Sequence, residues 1–199
     1  MKKPLLQALL FIFTSVSVTF AQLSDYVTGL SNPVGILKDN TTLYISAVGN
    51  SKLQKVDLTS ESLVAEDFLS GISFPTKMIR IGNFMYFTSF QYGVARVDLT
   101  IENPTIETVL SGLNSPFGLA VKDNFMYVTQ REVSGNIIRF DYNLTNPSSE
   151  IVIENLSFPN DIAFYGNDLY VAEGGVVSKI DVTEIDPVLE EVITAAGVL

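Results

Sequence analysis

The chain has 199 residues, 47% of them hydrophobic, with 12 Lys and Arg against 22 Asp and Glu and a formal net charge of −10. That acidity argues against nucleic acid and anionic membrane surfaces as partners, since both repel a polyanion. There is no His and no Cys, which excludes Ser-His-Asp and Cys-His catalysis, His-ligated zinc, thiolate chemistry and disulfides.

The chain opens with Lys2 and Lys3, an apolar run over 5–13, and the small-x-small triplet Thr19-Phe20-Ala21. This three-part pattern predicts a secretory signal peptide over 1–21, cleaved after Ala21, and hence a secreted or periplasmic protein. The apolar run is short for a membrane span of about 20 residues. Nothing after Ala21 has transmembrane character, so no membrane insertion is expected once the signal is removed. Lys2 and Lys3 are the only charged residues in the leader, and the remainder keeps 10 basic against 22 acidic residues.

Residues 22–199 read as one β domain built from repeats starting near 30, 72, 113 and 156. Three markers recur in step. Pro33, Pro75, Pro116 and Pro159 are spaced by 42, 41 and 43 residues, and Tyr44, Tyr86, Tyr127 and Tyr170 have the same spacings. Asp57, Asp98, Asp141 and Asp181 follow at 41, 43 and 40. A self-similar period near 40 residues marks a repeat architecture.

Each repeat predicts four short strands, rich in β-branched and aromatic residues and bounded by turn residues. The first follows the proline, over 34–38, 78–81, 117–121 and 161–165. The second surrounds the tyrosine, over 43–47, 85–89, 126–130 and 169–173. The third runs into the aspartate, over 53–58, 94–99, 137–142 and 177–182. The fourth is looser, over 63–69, 105–110, 150–153 and 189–193. The hairpins between first and second strands are placed at Asp39-Asn40, Gly82-Asn83, Asp123-Asn124 and Gly166-Asn167, where Asn and Gly tolerate positive φ. The proline is expected just before the first strand, where its missing N–H costs no ladder bond. The four aspartates are read as turn-formers that accept backbone N–H groups of the following residues.

Four antiparallel strands per unit, at about 42 residues per unit, describe the blades of a β-propeller. The segments 24–29 and 191–199 both resemble fourth strands, and a fifth repeat is expected to begin where the chain stops. The expectation is therefore part of a longer or open propeller, with a closed four-bladed ring as the alternative.

The motif Leu-x-x-Pro-x-Gly-Ile/Leu (Leu30 to Ile36 and Leu113 to Leu119), followed by Leu/Met-Tyr-Val/Ile and Ile/Leu-x-Lys/Arg-Val/Phe-Asp, resembles the NHL-type repeat. The resemblance covers residues 23–199. It implies six-bladed propellers, a group that overlaps in pattern with gluconolactonase-like and strictosidine-synthase-like propellers. It further implies that the first strands line a central channel and that ligands bind where the loops leading into them crowd together. In this sequence that end carries the residues after each proline and those at 46–51, 89–93, 130–136 and 173–175. Lys77, Phe117, Gln130 and Arg131 are the candidate ligand-binding residues. Lys77 could meet an anion or pair with Asp161. Arg131-Glu132 could form a solvated ion pair or touch a partner. Phe90 and Tyr92 could anchor a ligand or pack against a neighbouring blade.

Asn160, Asp161 and Glu173 could offer oxygens to a hard cation such as calcium. Pro159-Asn160 resembles the Pro-Asn-Gly motif of gluconolactonase-like propellers, where the Asn ligates the catalytic metal, although Asp161 stands in place of that Gly. Pro159-Asn160-Asp161-Ile162 resembles a motif of paraoxonase-like propellers. The other reading is that Asn160 and Asp161 hydrogen-bond the turn that leads into the strand. Asn40, Asn143 and Asn155 each open a glycosylation sequon. The function expected is a binding or interaction module for a small-molecule, protein or glycan ligand, with no catalytic residue assigned. The alternative is a calcium-dependent lactonase or esterase acting through a metal-bound water.

Overall fold

The computed structural model describes residues 26–194 and 197–198. The expected signal peptide lies outside them. The described chain folds into four antiparallel sheets, each built from four consecutive strands in sequence order, arranged as a four-bladed β-propeller. Blade one is β1 (Pro33–Asp39), β2 (Thr42–Ala47), β3 (Lys52–Asp57) and β4 (Glu66–Ser70). Blade two is β5 (Pro75–Ile81), β6 (Phe84–Ser89), β7 (Gly93–Asp98) and β8 (Glu107–Leu110). Blade three is β9 (Pro116–Lys122), β10 (Phe125–Gln130), β11 (Gly135–Asp141) and β12 (Glu150–Leu156). Blade four is β13 (Ile162–Tyr165), β14 (Asp168–Glu173), β15 (Val176–Asp181) and β16 (Glu190–Thr194), with the short β17 (Gly197–Val198) added against β16. The only helical segment among the described residues is a single 3-10 turn, Val48–Asn50, and none of their helices is long and apolar enough to cross a membrane.

Turn chemistry fixes the register. Each first hairpin has two loop residues, and the leading one is left-handed: Asn40, Gly82, Asp123 and Gly166, at φ 49°, 58°, 53° and 62°. In blade one the turn is therefore Asn40-Thr41, one residue later than expected, because Asp39 still pairs with Thr42. The third strands end at the aspartate rather than after it, since the carboxylate takes over from the ladder. Asp57, Asp98 and Asp181 each accept the N–H of the residue two on (Thr59, Thr100, Thr183) at 2.9 Å and its hydroxyl at 2.7 Å. Asp141 accepts the Asn143 N–H and side-chain amide at 2.9 and 3.1 Å. Pro33, Pro75 and Pro116 are the first residues of their strands rather than preceding them, and Pro159 stands before β13. Residues 26–30 carry no strand, so the fourth-type strand expected at 24–29 is absent from its described part.

The core lies between the blades. Tyr44 and Leu53 of blade one meet Met78, Met85, Phe87, Ala95 and Val97 of blade two. Tyr86 and Val94 of blade two meet Leu119, Met126, Val128, Ile138 and Phe140 of blade three. Tyr127, Ile137 and Leu156 of blade three meet Ile162, Leu169, Val171, Ile180 and Val182 of blade four. Each buried side chain of this size contributes about 1.5–3 kcal/mol. A hydroxyl two residues after each of the first three tyrosines ties one blade to the next. Ser46, Thr88 and Thr129 accept the N–H of Gly35, Lys77 and Gly118, and donate to the carbonyls of Thr76, Phe117 and Asn160 in the following blade. These bonds hold the inner strands in the order β1, β5, β9, β13, and so fix what meets at the axis.

Candidate functional site

The inner strands begin at one end of the molecule, where the connections between second and third strands also lie. Backbone bonds knit the two sets of loops together. Phe90 donates to the Ser73 carbonyl at 3.1 Å, Arg131 to Ser115 at 3.0 Å, and Phe158 to Glu132 at 2.9 Å. These bonds depend on a backbone feature shared by all four blades. The residue before each proline is left-handed: Asn32, Phe74, Ser115 and Phe158, at φ 47°, 51°, 44° and 47°. For the two bulky phenylalanines this conformation costs roughly 1–2 kcal/mol each. Both rings lie among the loops of the mouth. Phe74 stacks on Phe90 at 4.4 Å, and Phe158 lies 5.6 Å from the guanidinium of Arg131. Sequence reasoning missed these two positions, and their signal was the place immediately before each marker proline.

At the centre is a small pocket of about 140 Å³ lined by Val34, Thr76, Lys77, Phe117 and Asp161, so every blade contributes to it. Thr76 is fixed by hydrogen bonds to Thr88 at 2.8 Å and to the Phe117 carbonyl at 3.1 Å. The ammonium of Lys77 bonds the Asp161 carboxylate across the axis at 2.6 Å. Both side chains are partly exposed, and such a pair contributes about 0–1 kcal/mol. It can open at little cost. Beside it, the Arg131 guanidinium faces Phe117 at 5.4 Å, and its Nε donates to Asn160 Oδ1 at 2.6 Å. The Nη groups of Arg131 carry no hydrogen bond among the described residues.

The expected site residues therefore divide into two sets. Lys77, Phe117, Arg131, Asn160 and Asp161 come together at the mouth. Gln130 and Glu173 serve the loops instead. Gln130 accepts from the Asn114 N–H at 2.6 Å and donates to Asn136 at 2.8 Å. Glu173, 6% exposed, accepts the Ser157 N–H at 2.9 Å, and its other oxygen is buried without a partner. Arg131 and Glu132 do not pair with each other. Glu132 accepts the Ser115 hydroxyl at 2.6 Å, because the left-handed Ser115 brings that hydroxyl within reach. Tyr92 packs against the core between blades one and two, while Phe90 remains 44% exposed. Among the described residues, no three Asp, Glu, His or Cys side chains gather where a metal could bind. The nearest oxygens of Asn160 and Asp161 already face cations of the protein itself.

The ammonium of Lys77 can hold a carboxylate or similar anion in place of Asp161, with the Arg131 guanidinium beside the rings of Phe117 and Phe158 as a second cationic group of the mouth. At about 140 Å³ the pocket lies below the roughly 300–1,000 Å³ of pockets that enclose whole small molecules. It suits the tip of a larger ligand.

No protein-family profile matches the chain, and no curated protein sequence matches it. Solved structures do match. A chain of the nidogen/laminin complex aligns with a TM-score of 0.67 and 12% identity over 80% of this chain and 64% of that one. A 6-phosphogluconolactonase-like protein from Bacteroides uniformis aligns with a TM-score of 0.58 and 14% identity over 80% and 53%. The computationally designed protein Ika4 aligns with a TM-score of 0.55 and 14% identity over 79% and 98%. The chain thus spans less than two thirds of the first two and nearly all of the third. At these identities the likeness establishes the propeller fold alone.

Proposed function

We propose that this is an exported β-propeller that works as a binding module, docking a carboxylate-bearing group of a protein partner at its axial mouth. The observation that carries this reading is the convergence of all four blades on one small pocket lined by Lys77, with Arg131 standing over the Phe117 ring that also lines it. Lys77, Phe117, Arg131 and Asp161 are the residues assigned to binding. The partner's carboxylate takes the place of Asp161 on Lys77 while its neighbouring apolar atoms lie on Phe117 and Phe158. Exposed apolar residues on the same end, Val34, Phe90, Phe158 and Val133, extend the contact, as aromatic and Arg-rich surfaces do at protein interfaces. The NHL-type, six-bladed kinship and the secreted or periplasmic address belong to this proposal.

The test is an NMR titration of the full chain with N-acetyl-Phe-Glu-amide. Shifts confined to Lys77, Phe117, Arg131 and Asp161, and abolished by Lys77→Ala with Arg131→Ala, support docking. Shifts spread over the surface, or unchanged in the double variant, refute it. The hydrolase reading draws on the likeness to the 6-phosphogluconolactonase-like fold and on the unpartnered buried oxygen of Glu173. It requires Asn160 and Asp161 to exchange Arg131 and Lys77 for a calcium ion, so the geometry favours docking. Calcium-dependent turnover of lactones that disappears in Asn160→Ala would decide for the hydrolase.

A further inference from the structure

The opposite end of the molecule holds a larger cavity. β5 and β9 run away from the mouth and end at Ile81 and Lys122, so the first hairpins and the connections after the aspartates lie at the far end. There a cleft of about 380 Å³ opens between blades two and three. It falls within the size range of pockets that enclose small molecules. The cleft arises where blade three departs from the repeat. The residue after the strand-ending aspartate is Leu58, Leu99 and Val182 in the other blades, and Tyr142 in blade three. Its ring meets Tyr86 edge-on at 6.1 Å, and its hydroxyl donates to the Asp123 carbonyl at 3.3 Å, which holds the ring upright as a wall.

The opposite wall belongs to blade two. Arg96 donates from Nε and Nη2 to the two oxygens of Glu107, each at 2.8 Å, and from Nη1 to the Tyr86 hydroxyl at 3.2 Å. Its guanidinium carbon lies over Phe84, 4.5 Å from the ring centre. This fork is rigid and electrically neutral. The Glu107 side chain is still 58% exposed, so its oxygens retain lone pairs facing solvent. Asn143 and Asn146 bring amides to the other lip.

We propose that this cleft binds a neutral saccharide. Tyr142 supplies aromatic surface for the C–H face of a sugar ring, and the part of Phe84 that Arg96 leaves uncovered adds to it. The planar carboxylate, guanidinium and amides match neighbouring hydroxyls, which both donate and accept. An anionic ligand would meet Glu107 on a chain of net charge −10, and a purely apolar one would strand the polar groups of the walls without partners. The site is separate from the mouth and does not depend on the docking described there.

The experiment uses the full chain, produced in a host that leaves the Asn143 sequon unmodified. Methyl glycosides of glucose, galactose, mannose and N-acetylglucosamine are titrated by saturation-transfer NMR and by tyrosine fluorescence, which no Trp obscures. At least one is expected to bind saturably, with affinity falling about tenfold or more, or about 1.4 kcal/mol, in Tyr142→Leu and in Glu107→Gln, and unchanged in Lys77→Ala. Tyr142→Leu introduces the residue that blades one and two carry there, and Glu107→Gln preserves shape, so at least one folded variant is available. Absence of binding to all four glycosides overturns the proposal, as does affinity insensitive to both cleft substitutions, or a glucuronide that binds more tightly than its neutral counterpart.

Discussion

Thr88 shows how one hydroxyl can join two blades. Its oxygen accepts the Lys77 N–H at 3.1 Å and donates to the Phe117 carbonyl at 2.8 Å, with the side chain fully buried. Thr88→Val keeps the shape and removes both bonds. The Lys77 N–H would be stranded away from water, at a cost of about 1–3 kcal/mol, while the Phe117 carbonyl keeps the Thr76 hydroxyl at 3.1 Å. The expected loss, read from the urea midpoint, is at least about 1 kcal/mol, and an unchanged midpoint would contradict the assignment. Acid acts on a different set of residues. Hydrogen bonds hold the carboxyls of Asp57, Asp98 and Asp181 below the usual range: for Asp57 the Thr59 N–H is the larger cause, and for Asp98 and Asp181 the hydroxyls of Thr100 and Thr183 are. A depressed folded-state pKa stabilises above the unfolded value of about 3.9. That contribution is complete at neutral pH and is lost as pH falls through the folded values. Carboxyl carbon NMR titrations should place the midpoints of all three below those of a denatured reference, and midpoints at or above it would refute the turn assignment.

At the scale of elements, equivalent positions differ according to what covers them. Ile36 in β1 and Met78 in β5 occupy the same place in the repeat, yet Ile36 is 69% exposed and Met78 2%. Blade one packs over Met78. Met78→Ala is expected to cost about 2–5 kcal/mol through a cavity, whereas Ile36→Ala should stay within about 0.5 kcal/mol, as chemical denaturation of the two variants would show. Sequence periodicity assigned both to the inner strand but could not rank them, because burial comes from the neighbouring blade. A second feature was hidden for a related reason. Tyr86, Arg96 and Glu107 stand side by side across three strands, as do Tyr44, Lys55 and Glu66; Tyr127, Arg139 and Glu150; and Tyr170, Lys179 and Glu190. The basic-to-acidic spacing is 11 residues in every blade, but the tyrosine-to-basic spacing runs 11, 10, 12 and 9, since the intervening loops differ in length. By contrast, the prolines, tyrosines and aspartates were legible because each recurs at a nearly constant spacing of 40–43 residues, whatever it packs against. The loop roles of Gln130 and Glu173 were not, since both depend on a backbone turn that only the folded chain creates.

For the whole molecule, blades in a row make stability a property of neighbours. Each blade contributes its own ladder and shares an apolar layer with the next, so the chain behaves as a short one-dimensional array. Blade two is sandwiched between two such layers, and blade three likewise. Blade four has one layer among the described residues, with an open groove of Ala163, Tyr170, Ala172 and Val177 on its other face. Ala172 also stands where the other blades carry the hydroxyl that reaches across to a neighbour. Local opening draws on the least covered element first. Hydrogen exchange followed by mass spectrometry should therefore show the amides of β14 and β15 exchanging through smaller openings than those of β6, β7, β10 and β11. Adding the hydroxyl back with Ala172→Thr should not restore protection, because the missing stabilisation is a covered face rather than one bond. Equal protection across the three blades would mean that the array opens only as a unit, and that the shared layers couple more strongly than their separate burial implies.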